Sequence, residues 1–369
     1  MLASDLPRYT SAQAVEDLDA FRAELELPVM TLYGLSYGTQ LAQAYATTYP
    51  ARVRALVLDG VVDLSRPNVE FASDATRATN DILDRVFAAC AADPRCATLF
   101  PFTASRAFDQ LARDLAVLPR IVTLPVSSGP PQERSFTLAD LDTVTTIAMY
   151  DEGLRVAFLD ALSSYAIWND LIPMLVLHYE LSGYDPDTTL PYEGSIFSDA
   201  VYYTITCNDF GHPPGESVAE RQQPWLDGGR ALRDEPTLRL FSHYYGDLPC
   251  ATWPSGSLAA PLPEPFEPPA PTLFINADAD AATPSLQGER MFDRLAASGA
   301  AVSVIHVLNG HHVMLGTGEP CVDEPAAAFL RAPSAVSPGA ETTCDATLIE
   351  SFGARRAPRV PRMTPRLPR

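Results

Sequence analysis

The segment Gly34-Leu35-Ser36-Tyr37-Gly38 is the one best suited to covalent chemistry. Its G-x-S-x-G pattern can lift a serine hydroxyl above a sheet edge when a strand precedes it and a helix follows. Both flanks have that character. Val29-Met30-Thr31-Leu32-Tyr33 is a short apolar run that reads as a buried strand. Residues 39–48 place Leu41, Ala42, Tyr45 and Ala46 on one helical face before Pro50. Glycines at 34 and 38 are expected because a Cβ at either would collide with the neighbouring strand or helix. Ser36 is therefore the candidate nucleophile. The Tyr37 amide N–H, at the helix start, is the candidate donor to a developing oxyanion.

A serine hydroxyl needs a base to take its proton, and the base needs an orienting acid. On a parallel sheet both are expected beyond later strand ends, in the order Ser, acid, His. After the apolar run at 272–276 comes Ala277-Asp278-Ala279-Asp280-Ala281-Ala282-Thr283-Pro284. Asp280, ahead of the Thr283-Pro284 turn, is the preferred acid, and Asp278 is its rival. After the run at 302–308 comes Asn309-Gly310-His311-His312. His311 follows a glycine that lets the loop approach the serine, and is the preferred base. His312 is the alternative. His178 in an apolar helix, His212 and His243 in a helical region and His306 inside a strand read as packed or surface residues.

The elements that must position these groups are legible as patterns. Residues 11–25 read as a helix capped by Ser11, with Val15, Leu18, Phe21 and Leu25 at helical spacing. Residues 53–62 contain a second buried strand, Ala55-Leu56-Val57-Leu58-Asp59. Strand, helix and strand with short connections imply a parallel sheet. The pattern then becomes mostly helical, with a stripe at Phe71, Ala75, Ala78, Ile82, Val86 and Phe87 and one or two helices within 154–181. Residues 255–271 form a proline-rich linker. The sheet pattern resumes at Thr272 and again at Val302, and 323–331 reads as a short helix. The expected division is 1–65 and 256–350 as two parts of one α/β core, 66–255 as a mostly helical lid, and 351–369 as an Arg/Pro tail that cannot pack.

Composition narrows the function classes. The 369 residues carry a net charge of −20, which argues against a nucleic-acid partner, since phosphate binding needs clustered cations. With 47% hydrophobic residues the chain can build a large core. No apolar run approaches the ~20 residues of a membrane span. Six cysteines lack the C-x2-C spacing of a zinc site and suit three disulfides. They permit 15 connectivities. Sequential pairing is the local expectation, because Cys90 and Cys96 are close and the rest fall into two separated sets. No metal or cofactor is implied.

The segments Tyr9-Thr10-Ser11 through Asp17-Leu18-Asp19, Arg22 and Tyr33 to Thr39 resemble the prolyl and tripeptidyl aminopeptidase branch of the α/β-hydrolases. Arg52 to Val61, Asp280 to Pro284 and Gly310-His311 resemble the same branch. So do Ile205 to Asp209, Cys250 to Pro254, and the Cys321 to Cys344 segment, the last being similar to the C-terminal region of exported members. Where the family has Gly-His-Gly, this sequence has Gly310-His311-His312. The resemblance implies an α/β-hydrolase fold with a helical lid and a peptide or small ester as substrate. It also implies an exported, secreted or periplasmic, full-length form. In that branch lid carboxylates hold the free amine of the substrate, and Asp209 matches the Cys-x-Asp element. Asp209 is thus the expected amine-binding residue.

Only 28 residues precede Val29, enough for one helix and no sheet. An apolar nucleophile strand with nothing before it would leave an open edge. No His-Gly-Gly segment, the usual source of a second oxyanion donor, occurs in the chain. The first strands of the fold are expected in a preceding portion on the order of a hundred residues long. Three readings follow: a serine aminopeptidase, an esterase or lipase on the same triad, or a non-catalytic remnant.

Overall fold

A computed structural model of the chain describes residues 8–192, 198–210, 215, 217–253 and 266–350. The expected proline-rich linker falls largely, and the Arg/Pro tail wholly, outside the described residues. The chain divides into two compact units.

The first unit comprises residues 1–79, 199–238 and 244–347. It begins with α1 (Ser11–Glu24), β1 (Met30–Leu35), α2 (Tyr37–Thr48), β2 (Val53–Asp59) and the start of α3 (Asn68–Ala92). The second unit, mainly residues 80–198, holds α4 (Pro94–Ala97), α5 (Ala104–Val117), β3 (Arg120–Leu124), β4 (Gln132–Phe136), α6 (Leu138–Ala148), α7 (Glu152–Trp168) and α8 (Ile172–Leu181). The chain then supplies the first unit with α9 (Asp199–Asp209), α10 (Val218–Arg233), β5 (Thr272–Ala277), α11 (Ser285–Ala297), β6 (Val302–Leu308), α12 (Pro320–Arg331) and β7 (Ala340–Asp345).

The sheet of the first unit is wholly parallel in the order β1-β2-β5-β6-β7. Side-chain alternation along each strand builds two separate cores. Leu56, Leu58, Phe274, Val302 and Val304 pack with Val15 of α1, Tyr45 of α2 and Met291, Phe292 and Leu295 of α11. Ala55, Val57, Leu273, Ile275, Ile305 and Val307 pack with Val322, Ala326 and Phe329 of α12. Each fully buried large apolar side chain here contributes roughly 1.5–3 kcal/mol. Among the described residues β1 is an edge strand, and Val29, Tyr33 and Leu35 along it are exposed.

The second unit is helical around Phe108, Phe136, Phe158, Leu162 and Met174, with one antiparallel hairpin, β3–β4, that the helical reading of 66–255 did not anticipate. Its helices start where capping residues stand: Thr103 accepts from the Arg106 amide, and Thr137 and Asp140 form a capping box.

The division differs from the sequence-based boundaries, because residues 199–238 and 244–253 group with the sheet. Asn208 donates through Nδ2 to the Tyr9 carbonyl at 2.9 Å, which ties 199–238 to the start of the chain, and the Cys207–Cys250 disulfide ties 244–253 to 199–238. The other disulfides are Cys90–Cys96 and Cys321–Cys344, so all six cysteines pair sequentially. No described helix is long and apolar enough to cross a membrane.

Candidate active site

The first functional element is the turn between β1 and α2. Ser36 has φ 53° and ψ −126°, a region that side chains other than glycine's rarely occupy. Gly34 makes the turn possible: a Cβ there would lie 2.4 Å from the Gly38 carbonyl oxygen. Gly38 has nothing within 4 Å of a Cβ position, so the expected collision at 38 is absent and only Gly34 is sterically required. The turn is held from both sides. The Ser36 amide donates to the Asp59 carbonyl at 2.8 Å, and the Thr39 hydroxyl donates to the Ser36 carbonyl at 2.7 Å. The Tyr37 amide stands in the first turn of α2, where an N–H has no intrahelical acceptor.

The carboxylate follows β5. Asp280 is buried, and its Oδ1 accepts from the amides of Ala282 and Thr283, both at 2.8 Å. Its Oδ2 accepts from the Thr283 hydroxyl at 2.7 Å. These bonds aim the carboxylate at a histidine, and that histidine is His312. Its Nδ1–H donates to Asp280 Oδ2 at 2.9 Å and lies 3.0 Å from Oδ1. A ring nitrogen facing a carboxylate carries the proton, which leaves Nε2 as the basic atom.

This corrects the choice of His311. The Nδ1–H of His311 donates instead to the His312 carbonyl at 3.0 Å. The reason is a ladder that runs past the strand ends. The Asp278 amide donates to the Val307 carbonyl, and the Ala279 amide donates to the Gly310 carbonyl, each at 3.0 Å. Beyond this last rung the loop carries its second histidine, not its first, to the Asp280 carboxylate. Gly310 belongs to the packing of this ladder: a Cβ there would press on Val307 and Ala277. Asp278, the rival acid, accepts from the Asn309 amide at 2.6 Å and so holds the loop in which Asn309 takes φ 59°.

Burial by itself lowers the affinity of the His312 imidazole for a proton. The charge and hydrogen bond of Asp280 outweigh it, with a further push from the Asp59 charge, and its pKa lies above the ordinary 6.5. Gly60 floors the pair, with φ 67° and a Cβ position 2.7 Å from the Thr283 hydroxyl and 3.3 Å from both Asp280 Oδ2 and the His312 ring.

Asp209, the expected amine receptor, is engaged by residues of the chain itself. Its Oδ1 accepts from the Ser11 amide at 3.0 Å, and its Oδ2 accepts from the Ser11 hydroxyl and from Gln40 Nε2 at 3.0 Å. Burial raises its pKa, opposed by the Ser11 donors. The Ser11 hydroxyl also bonds the Tyr37 hydroxyl at 2.6 Å, so the network reaches the residue after Ser36. Ser11 is accordingly the buried first residue of α1, and the capping oxygen belongs to Thr10, which accepts from the Gln13 amide.

Asp59, Thr283 and Tyr33 escaped the sequence reading as functional residues. The available signal was a carboxylate ending a strand whose last five positions are all buried.

A model for the alpha/beta hydrolase fold matches residues 3–216, more than half of the chain, and a TAP-like protein model matches residues 238–344. The chain belongs to the α/β-hydrolase family. It is 28% identical over 327 residues to the serine protease Hip1 of Mycobacterium tuberculosis, covering 87% of this chain and 59% of that protein. It is 25% identical over 335 residues to the tripeptidyl aminopeptidase of Streptomyces lividans, covering 88% and 56%. Carboxylesterase B of Mycobacterium tuberculosis is 24% identical over 278 residues, covering 74% and 49%. The chain thus spans about half to three-fifths of the length of these relatives.

Proposed function

We propose that this chain carries the catalytic groups of a serine hydrolase that cleaves peptide bonds close to a substrate's free N-terminus, with Ser36 as nucleophile, His312 as base and Asp280 as the orienting acid. One observation supports this reading above the others: the buried Asp280–His312 pair stands on the same carboxyl edge of the parallel sheet as the strained Ser36 turn. The TAP-like match and the peptidase relatives favour peptides over simple esters.

In the first half-reaction the Ser36 hydroxyl oxygen bonds to the substrate carbonyl carbon while His312 Nε2 takes its proton. Asp280 holds Nδ1–H and stabilises the imidazolium. The oxyanion accepts from the Tyr37 amide. Collapse breaks the C–N bond, and the leaving amine takes the proton from His312. Water then repeats the sequence on the acyl-Ser36 ester and releases the acid. Three disulfides fit an oxidising compartment, so we place the protein outside the cytosol.

The test is labelling by a fluorophosphonate, followed by turnover of arylamides with free or blocked amines beside short acyl esters. Loss of labelling in Ser36→Ala and faster turnover of free-amine arylamides are expected. Undiminished labelling of Ser36→Ala overturns the nucleophile, and a preference for acyl esters overturns the peptide substrate.

A further inference from the structure

Two residues beside the reacting groups hold backbone angles that their side chains disfavour: Ser36 at φ 53° and Val313 at φ 64°. Val313 is the more demanding, since a β-branched residue in the left-handed region is a true outlier. Such angles persist only where surrounding bonds over-determine them. The bonds that do so here converge on one residue.

Asp59 ends β2 and is almost wholly buried. Its carbonyl accepts the Ser36 amide at 2.8 Å. Its carboxylate accepts the Met314 amide at 3.0 Å and 3.1 Å, and the Leu315 amide at 2.8 Å. These are the two amides that follow His312-Val313. The Tyr33 hydroxyl of β1 donates to the same carboxylate at 3.1 Å. One residue therefore clasps both the nucleophile turn and the histidine turn, using its backbone for the first and its side chain for the second.

Building on the triad proposed above, we infer that Asp59 is a positioning residue: it fixes the His312 turn relative to Ser36 and sets a second negative charge behind the imidazole. Asp280 orients the ring through Nδ1, whereas Asp59 orients the backbone that carries the ring. Among the groups that face His312 are Asp280 and the Thr283 hydroxyl from the loop after β5, and Asp59 from β2. Those that face Asp59 are Tyr33, the two amides and the charge of Asp280. Burial, with the Asp280 charge, raises the Asp59 pKa above its ordinary value, and the amides of Leu315 and Met314 with the Tyr33 hydroxyl limit that rise by favouring the charged form.

Asp59→Asn separates the two contributions from mere packing. It keeps the volume, removes the charge, and turns an NH2 group toward an amide donor. Two readouts apply. The pH titration of the His312 ring protons by NMR requires no turnover, and its midpoint should fall below that of the wild type, because a nearby negative charge has been removed. The rate of fluorophosphonate labelling at Ser36 should fall by about tenfold to a hundredfold, the scale of a small displacement of a reacting group. Adding Val313→Gly should restore part of that rate, since glycine adopts the positive φ without a tether. A folded Asp59→Asn protein with unchanged midpoint and unchanged labelling overturns the inference. If that variant does not fold, Tyr33→Phe carries the test. It removes one donor to the carboxylate and should slow labelling by roughly two- to fivefold, and an unchanged rate again overturns it. If the wild type itself does not label, the serine-hydrolase reading fails, while the His312 titration still judges Asp59.

Discussion

The turn that carries Ser36 and the loop that carries His312 are built on opposite principles. The serine turn is mainly local. Gly34 lets β1 meet α2, Thr39 satisfies the Ser36 carbonyl from three residues away, and the Ser36 amide reaches only as far as the Asp59 carbonyl on the neighbouring strand. The histidine loop has no such self-sufficiency. Its register is set by Asp278 and Ala279 across the sheet, and its outlier at Val313 is bracketed by bonds to a residue 255 positions earlier. Local turns are encoded by the residues in them. Long-range turns are encoded by whatever faces them in the fold.

The sharpest way to break this comparison is to exchange the two histidines. His312→Ala should reduce kcat/KM on a tripeptide arylamide by roughly 10⁴-fold or more, the scale of losing the base of a serine triad. His311→Ala should cost less than about tenfold. The opposite ranking would restore the motif-based choice and discard the ladder.

Next in size is Asp280→Asn, which should lower kcat by up to about 10⁴-fold through loss of the ring orientation. Its pH profile carries a sign. In the proposed mechanism His312 acts as a neutral base, so activity falls as pH drops through its pKa, which the charge of Asp280 holds above 6.5. Without the carboxylate, burial prevails and the acid limb of kcat/KM moves to lower pH. An acid limb that stays in place or rises contradicts the pairing.

The local turn is tested by its glycines. Gly34→Ala should destabilise by about 1–3 kcal/mol, because the added carbon overlaps backbone that cannot move freely. Gly38→Ala should be neutral or stabilising by up to about 1 kcal/mol, since its site is open and helical. Urea unfolding of both variants checks the asymmetry, and equal losses would mean that both glycines are required.

The smallest effect on substrate preference is expected at Asp209. Asp209→Asn weakens the Ser11 and Gln40 bonds and should cost about 1–2 kcal/mol. Turnover of free-amine and blocked arylamides should change in equal proportion. A selective loss on free amines returns Asp209 to substrate binding.

Much of this was legible beforehand. The strands at 29–33, 55–59, 272–275 and 302–308 and the helix at 11–25 announce themselves because apolar periodicity is a local property, and the sequential disulfides followed from proximity. The serine turn was legible for the same reason. Apart from the β3–β4 hairpin, the open Gly38 site and the Thr10 cap, what escaped detection shares one cause. His312 over His311, Asp59 as a clasp, Asp209 as an anchor for Ser11, and the grouping of 199–238 with the sheet all depend on partners from more than 25 to more than 250 residues away.

By itself, then, the chain determines an α/β core, a serine poised on a strand-to-helix turn, and an acidic and a histidine-bearing loop in the right order. Periodicity and turn chemistry act within a few residues, and that suffices for each. Only the tertiary structure decides which of two adjacent histidines faces the carboxylate, because one residue of slip in a loop reverses which side chain points inward. The same holds for Asp59: its place at the end of β2 is written in the strand, but its work on the His312 turn exists only once β1, β2, β5 and β6 lie side by side.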